Sequence, residues 1–215
     1  MPLLKTWSGE GARWGIWHTT ETEAQLQSLL ATDYAPQLKS LKAPSRRLEF
    51  LSARVLLKAL WGSEPGIAHL PSGKPYLEGR KEHITLSHTR GYAAAGIHPC
   101  KEAGIDIEYR SDRVRKVTSR FLHADEMPDA HLLPPDEVTD KLLLQWCAKE
   151  TLYKMLDEKG VDFVRHLRIF AFPLQHAGTM EAQEFRTPHR QHFTIHYAVN
   201  PHFVCTWGVK DAASR

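Results

Sequence analysis

The sequence has few cysteines and no long apolar run. Three cysteines, Cys100, Cys147 and Cys205, occur among 215 residues, with no CxxC or Cys/His cluster. Their odd number and wide spacing argue against a zinc site or a disulfide framework. No apolar run approaches the ~20 residues of a membrane span, and residues 1–17 lack the pattern of a signal peptide. We therefore predict a globular cytoplasmic protein that has no membrane partner.

The net charge of the chain is also small. The formal net charge is +3, with thirteen histidines not counted, which permits a phosphate-rich ligand or an acidic partner without demanding nucleic acid. A GxxxxGK[ST] loop for nucleoside triphosphates is absent. With 42% hydrophobic and 25% charged residues, the chain can bury a substantial core. Its length suits one large domain or two fused small ones.

Hydrophobic patterns predict the order strand, helix, hairpin twice along the chain. In the first half the predicted segments are residues 14–18, 48–61, 84–87 and 92–97, and in the second half they are residues 104–108, 140–156, 192–199 and 203–209. This order predicts an α+β fold of two similar halves, residues 1–102 and 103–215, with a ligand cleft where they meet. The stretch 124–139, rich in proline and acidic residues, is predicted to be a surface loop.

Two carboxylates alternate with isoleucines in the predicted strand at residues 104–108. Side chains two apart on a strand share a face, so Asp106 and Glu108 point the same way, about 6 to 7 Å apart. Neighbouring carboxylates repel unless a cation lies between them, and hard oxygen ligands favour Mg²⁺. The alternative is the solvated edge of an ordinary strand.

The predicted helix at residues 140–156 adds a third carboxylate and a lysine. Trp146, Glu150 and Lys154 follow one another at i, i+4 and i+8 and share a face. A neighbouring stripe is predicted to be buried and comprises Leu144, Ala148, Thr151, Leu152 and Met155. Glu150 and Lys154 together suit a metal and a phosphate. The alternative is a surface ion pair that contributes only about 0.2 to 0.5 kcal/mol to the helix. We expect Lys149, on a different side from Glu150, to face solvent or the cleft rim.

Five motifs in this order resemble those of the 4'-phosphopantetheinyl transferases. They are Gly73-Lys74-Pro75, Leu86-Ser87-His88, Gly104-Ile-Asp-Ile-Glu108, Arg120-Phe121-xxxx-Glu126 and Trp146-xx-Lys149-Glu150-xxx-Lys154. The length and doubled organisation resemble the fused two-half group typified by the surfactin-synthetase activator. The short trimeric synthase-type group is roughly half as long. We expect a monomer.

The resemblance implies a role for each matching residue. It implies Mg²⁺ held by Asp106, Glu108 and Glu150, with Lys154 against the coenzyme A pyrophosphate. It implies that Glu126 or Glu150 is the base for a carrier-protein serine. The sequence does not distinguish these two candidates.

The resemblance also implies residues for the nucleotide end of coenzyme A. Those residues are Arg46, Lys74, Pro75, Ser87 and His88, with Arg47 a rival to Arg46. Taken alone, Lys74 is better explained as a solvated turn residue and His88 as a turn histidine.

The implied reaction moves the 4'-phosphopantetheine arm of coenzyme A onto a serine of an apo acyl or peptidyl carrier protein and releases 3',5'-ADP. Two alternatives remain open. One is a non-catalytic homologue that binds coenzyme A or the carrier. The other is a different Mg²⁺-dependent phosphotransfer enzyme, such as a nucleotidyl transferase, which would consume a nucleoside triphosphate. The sequence does not identify the carrier's pathway.

Overall fold

The chain divides into two compact units in the computed structural model, which describes residues 2–128 and 133–210. The first unit is Met1–Cys100 and the second is Lys101–Arg215. Helices and antiparallel sheets occur in both, so the predicted α+β class is confirmed. None of the helices in the described ranges is long and apolar enough to cross a membrane.

The first unit packs a long helix on a four-stranded antiparallel sheet. The sheet strands are β1 (Leu3–Gly9), β2 (Ala12–His18), β5 (His83–Thr89) and β6 (Tyr92–His98), in the order β1-β2-β6-β5. The helices are α1 (Glu23–Ser28), α2 (Ala35–Ser40) and α3 (Pro44–Trp61), and a small hairpin joins β3 (Ile67–His69) to β4 (Pro75–Leu77). Helix α3 lies against β2, β5 and β6.

Helix α3 begins four residues before the predicted helix and ends where predicted. Pro44 occupies its first turn, where a missing backbone N–H costs nothing. The polar residues that follow carry no apolar periodicity, so the pattern could not reveal this turn. Gly62 ends the helix with a φ of 93°, and its N–H donates to the Lys58 carbonyl at 2.9 Å.

The second unit packs a longer helix on a five-stranded antiparallel sheet. Its strands are β7 (Ala103–Tyr109), β8 (Leu167–Ile169), β9 (Ala177–Glu184), β10 (His192–Val199) and β11 (Phe203–Val209), in the order β7-β11-β10-β9-β8. Its helices are α4 (Pro135–Leu156) and α5 (Phe163–His166), and three short 3-10 segments are Asp112–Lys116, Thr118–Arg120 and Ala124–Glu126. The hairpin β10–β11 has the predicted bounds.

Strand β7 and helix α4 approach closely because Gly104 has no side chain. A Cβ at Gly104 would lie 2.3 Å from the backbone oxygen of Thr151 on α4. Thr151 is itself bound to the sheet, since its hydroxyl lies 2.7 Å from that of Thr206 on β11. This contact places Asp106 and Glu108, on the same strand, beside the helix that carries Glu150 and Lys154.

The prediction of a surface loop at residues 124–139 is wrong at both ends. Residues 124–126 form a 3-10 turn in which Glu126 is buried, and α4 already begins at Pro135. Proline is tolerated in a first helical turn, and the acidic Asp136 and Glu137 favour the positive end of the helix dipole. Residues 129–132 of the predicted loop lie outside the described residues.

Candidate active site

Asp106 and Lys154 join β7 to α4 by a direct ion pair. The Lys154 ammonium donates to Asp106 Oδ1 at 2.8 Å and to the Ile105 carbonyl, also at 2.8 Å. Asp106 is buried, so the alternative of a solvated strand edge is wrong for this side chain. Lys154 bonds to Asp106 across the elements and not to Glu150 one turn away on its own helix. The alternative of a surface ion pair between Glu150 and Lys154 is therefore wrong, because Lys154 pairs with Asp106.

Glu108 is held by the indole of Trp146. The Trp146 Nε1–H donates to Glu108 Oε1 at 2.8 Å across 38 positions of sequence. The indole packs against the ring of Phe121, at a centroid distance of 5.2 Å, and that of Phe163, at 5.7 Å. Trp146 is therefore both a packing residue and a hydrogen-bond donor to the acidic strand.

Three carboxylates interact electrostatically at this position. Burial, then the charge of Asp106, raises the pKa of Glu108 to about 7. Burial and Asp106 likewise raise the pKa of Glu150 to about 7, although Lys154 opposes the shift. Carboxylates raised this far are typical of sites where negative charge is concentrated away from water. Lys154 is the cation that acts on both groups.

Two of the three carboxylates, those of Asp106 and Glu108, face protein donors. Among residues 2–128 and 133–210, no group of three or more His, Cys, Asp or Glu side chains is placed closely enough to hold a metal ion. Asp106 faces Lys154 and Glu108 faces Trp146. Glu150 makes no side-chain hydrogen bond within those described ranges.

Glu126 and Lys149 form a separate, fully buried ion pair. Lys149 Nζ lies 2.7 Å from Glu126 Oε2, and the two side chains are 0% and 1% exposed. The other Glu126 oxygen accepts from the Ile169 amide at 2.7 Å, and Oε2 also accepts from the His123 amide. The prediction that Lys149 faces solvent or a cleft rim is wrong.

The same ammonium connects α4 to three neighbouring segments. Lys149 Nζ donates to the carbonyls of Phe121 at 2.6 Å, Leu167 at 2.8 Å and Phe163 at 3.0 Å. Burial lowers the pKa of Lys149, and the Glu126 carboxylate opposes that shift. A sequence signal for this position exists. Lys149 continues a 3-4-3-4 stripe of buried residues on α4, namely Leu142, Gln145, Leu152 and Leu156.

In the first unit, Glu49 brings together two of the residues predicted to bind the nucleotide. Arg46 Nη1 lies 3.0 Å from Glu49 Oε2, and His88 Nδ1 lies 3.4 Å from the same oxygen. The Arg46 side chain is 61% exposed and that of His88 is 39% exposed. Sequence reasoning missed Glu49, although it lies three positions after Arg46 in α3. The side chains of Arg46 and His88 are therefore both partly exposed and both contact Glu49.

The remaining predicted nucleotide residues occupy nearby turns and strands of the first unit. Lys74 closes the turn between β3 and β4, where its carbonyl accepts from the Leu70 amide at 2.9 Å. Pro75 begins β4, and Ser87 is buried in β5. The rival Arg47 instead pairs with Glu23 of α1 at 2.7 Å. Arg46 and Arg47 thus pair with different glutamates.

The sequence matches known proteins over the region that carries these residues. Residues 102–207, which include all three carboxylates and Lys154, match the family model described as the 4'-phosphopantetheinyl transferase superfamily. The chain is similar to 4'-phosphopantetheinyl transferase HetI of Nostoc sp. (strain PCC 7120), with 26% identity over 192 residues, covering 82% of this chain and 80% of that protein. It is also similar to a Bacillus subtilis 4'-phosphopantetheinyl transferase, with 30% identity over 83 residues, 38% of this chain and 37% of the relative. These matches place residues 102–207 of the chain in the 4'-phosphopantetheinyl transferase superfamily.

Proposed function

We propose that this protein transfers the 4'-phosphopantetheine group of coenzyme A to a serine of an apo acyl or peptidyl carrier protein. The observation that carries the proposal is the contact of β7 with α4, which brings Asp106, Glu108, Glu150 and Lys154 into one electrostatic group. In the reaction, a bond forms between the serine oxygen and the β-phosphorus of coenzyme A. The bond from that phosphorus to the bridging oxygen breaks, and 3',5'-ADP leaves.

The donor set fits Mg²⁺. Asp106, Glu108 and Glu150 are hard oxygen ligands, and their mutual repulsion in a buried setting favours a cation among them. These three residues would hold the ion. When bound, Mg²⁺ supplies Lewis-acid stabilisation to the pyrophosphate oxygens on which charge develops.

The base that receives the serine proton is assigned to Glu150 rather than Glu126. Both Glu126 oxygens accept hydrogen bonds inside the second unit, and its side chain is 1% exposed. A serine hydroxyl or a water could reach it only by breaking those contacts. Glu150 is partly exposed and its oxygens are free of hydrogen bonds from residues 2–128 and 133–210. It therefore takes the proton directly or through one water.

Lys154→Ala should lower kcat by on the order of 10²- to 10³-fold while coenzyme A binding survives in part. The ammonium stabilises charge that develops on the departing oxygen, an interaction that strengthens in the transition state. The measurement is single-turnover transfer together with calorimetric binding of coenzyme A in Mg²⁺. Lys159→Ala, an exposed lysine just beyond α4, is the matched control. Near-normal turnover of Lys154→Ala would exclude the leaving-group role.

The nucleotide end of coenzyme A is assigned to the first unit. Arg46 and His88 converge on Glu49, and Lys74 closes the neighbouring β3–β4 turn. Arginine, lysine and protonated histidine donors suit a 3'-phosphate. Pro75 and Ser87 complete the proposed set by shaping the turn and the end of β5.

His88→Ala and Lys74→Ala should weaken coenzyme A binding more than they slow transfer. A phosphate contact is present in both ground and transition states, so its loss appears mainly in KM and Kd. Affinities for coenzyme A and its 3'-dephospho form are compared for each variant, with the exposed Lys81→Ala as control. Equal loss of affinity for both ligands would show that neither residue contacts the 3'-phosphate.

The doubled organisation is part of the same proposal. Residues 1–102 would supply the nucleotide-binding loops and residues 103–215 the metal strand and catalytic helix, as in the fused two-half group. A cytoplasmic monomer is consistent with that assignment. Acyl and peptidyl carriers are both candidate partners.

The direct test incubates the protein with coenzyme A, Mg²⁺ and a panel of apo carrier proteins, which are then weighed by mass spectrometry. The expected result is one added phosphopantetheine on at least one carrier, absent when its acceptor serine is replaced by alanine. Coenzyme A binding without any transfer would identify a non-catalytic homologue instead. Consumption of a nucleoside triphosphate in place of coenzyme A would identify a nucleotidyl transferase.

A further inference from the structure

The hydrogen bond from Trp146 to Glu108 has no role in the reaction proposed above. The indole Nε1–H is a donor only, and it engages Oε1 of a carboxylate that has two oxygens. The indole itself cannot easily move, because Phe121 meets it edge-on at an interplanar angle of 71° and Phe163 lies on it at 39°. A rigid donor therefore fixes the rotation of the Glu108 carboxylate.

Fixing one oxygen restricts how the carboxylate can bind a cation. With Oε1 engaged by the indole, Oε2 is the oxygen that can face an ion without loss of the hydrogen bond. Lys154 restricts Asp106 in a similar way, by donating to Oδ1 at 2.8 Å. Mg²⁺ is small and requires near-octahedral geometry, whereas Ca²⁺ accepts both oxygens of one carboxylate and more ligands.

We propose that Trp146 is a positioning residue that holds Glu108 as a single-oxygen ligand and so favours Mg²⁺ over larger divalent cations. The inference rests on the proposed metal site and adds to it a determinant of metal choice. Donors to the metal-binding carboxylates commonly affect metal affinity by about 10- to 100-fold. Trp146 acts through Glu108 and is not itself a ligand.

The test measures the affinity of Mg²⁺ and of Ca²⁺, each titrated alone by calorimetry, for the wild type and Trp146→Phe. Phenylalanine keeps an aromatic ring between Phe121 and Phe163 and removes the N–H. We expect Mg²⁺ affinity to fall by about tenfold or more, with a smaller loss for Ca²⁺, so that the ratio of the two affinities shifts toward Ca²⁺.

Trp207→Phe is the matched control in the same unit. Trp207 pairs with Ile105 across β11 and β7, so it lies on the face of the sheet opposite to Asp106 and Glu108. It should leave the Mg²⁺ to Ca²⁺ ratio unchanged. Thermal unfolding of each variant shows whether the fold is retained. If Trp146→Phe does not fold, benzothienylalanine at position 146 keeps the bicyclic shape without the N–H and is subject to the same criterion.

Three results would overturn the inference. Unchanged Mg²⁺ affinity on loss of the N–H would show that the hydrogen bond does not position a ligand. Equal losses for Mg²⁺ and Ca²⁺ would show a structural role without effect on metal choice. Absence of metal binding by the wild type would overturn the metal site itself, and the carrier-modification assay would separately show whether transfer occurs.

Discussion

Glu150→Gln is expected to slow transfer by on the order of 10³-fold at every pH, with little change in fold stability. The substitution keeps the size of a partly exposed side chain and removes its charge. That charge serves two purposes in the proposed reaction, as a metal ligand and as the acceptor of the serine proton. No ion pair in α4 depends on it, because Lys154 bonds to Asp106. The measurement is single-turnover transfer to an apo carrier.

The control for this substitution is Glu158→Gln, an exposed glutamate two residues beyond the end of α4. It changes the net charge by the same amount and should leave the rate within about twofold, since exposed charges at this distance are screened. A Glu150→Gln protein that still turns over at the wild-type rate would contradict the mechanism. It would also show that the serine proton is accepted by a group other than Glu150.

Lys149→Met is expected to destabilise the second unit by about 3–5 kcal/mol, the largest stability effect among these substitutions. The change leaves the Glu126 carboxylate buried and unpaired, together with three carbonyls that the ammonium now satisfies. Such a loss is a large part of the roughly 5–15 kcal/mol by which domains are typically stable. Urea denaturation, monitored by circular dichroism, provides the measurement.

The double variant Lys149→Met, Glu126→Gln distinguishes a buried charge pair from simple packing. Removing the second charge should recover part of the lost stability, because no isolated charge remains in the interior. Lys116→Met, at an exposed lysine of a 3-10 segment, should cost less than about 0.5 kcal/mol. Additive losses in the double variant, or a small loss for Lys149→Met alone, would contradict the assigned ion pair.

Local periodicity predicted the faces of the two elements that carry the candidate site. The stripe of Leu144, Ala148, Thr151, Leu152 and Met155 is buried throughout, as the helical spacing indicated. In β7, Ile105 and Ile107 alternate with the carboxylates, so Asp106 and Glu108 share a face. These results follow from geometry that repeats every 3.6 or 2 residues and needs no knowledge of distant neighbours.

Contacts between distant segments could not be read in the same way. Glu126 appeared in an acidic stretch typical of a surface loop, yet its partner lies 23 positions later in α4. Lys149 is a residue type seldom buried, and it is buried because a carboxylate and three carbonyls surround its ammonium. The contacts that surround Glu126 and Lys149 form only when the chain folds.

The sequence by itself determined the family resemblance, the positions of the long helices and strands, and the three carboxylates of the proposed metal site. Only the tertiary structure decided what each charged group contacts: Lys154 with Asp106, Trp146 with Glu108, and Lys149 with Glu126. The physical reason is that chain neighbours set periodicity and turn geometry. Hydrogen bonds and ion pairs act over a few ångströms between residues whose separation in sequence carries no such constraint. The structure thus gives different surroundings to two glutamates that their motifs left equivalent, since Glu126 lies in a buried ion pair and Glu150 is partly exposed.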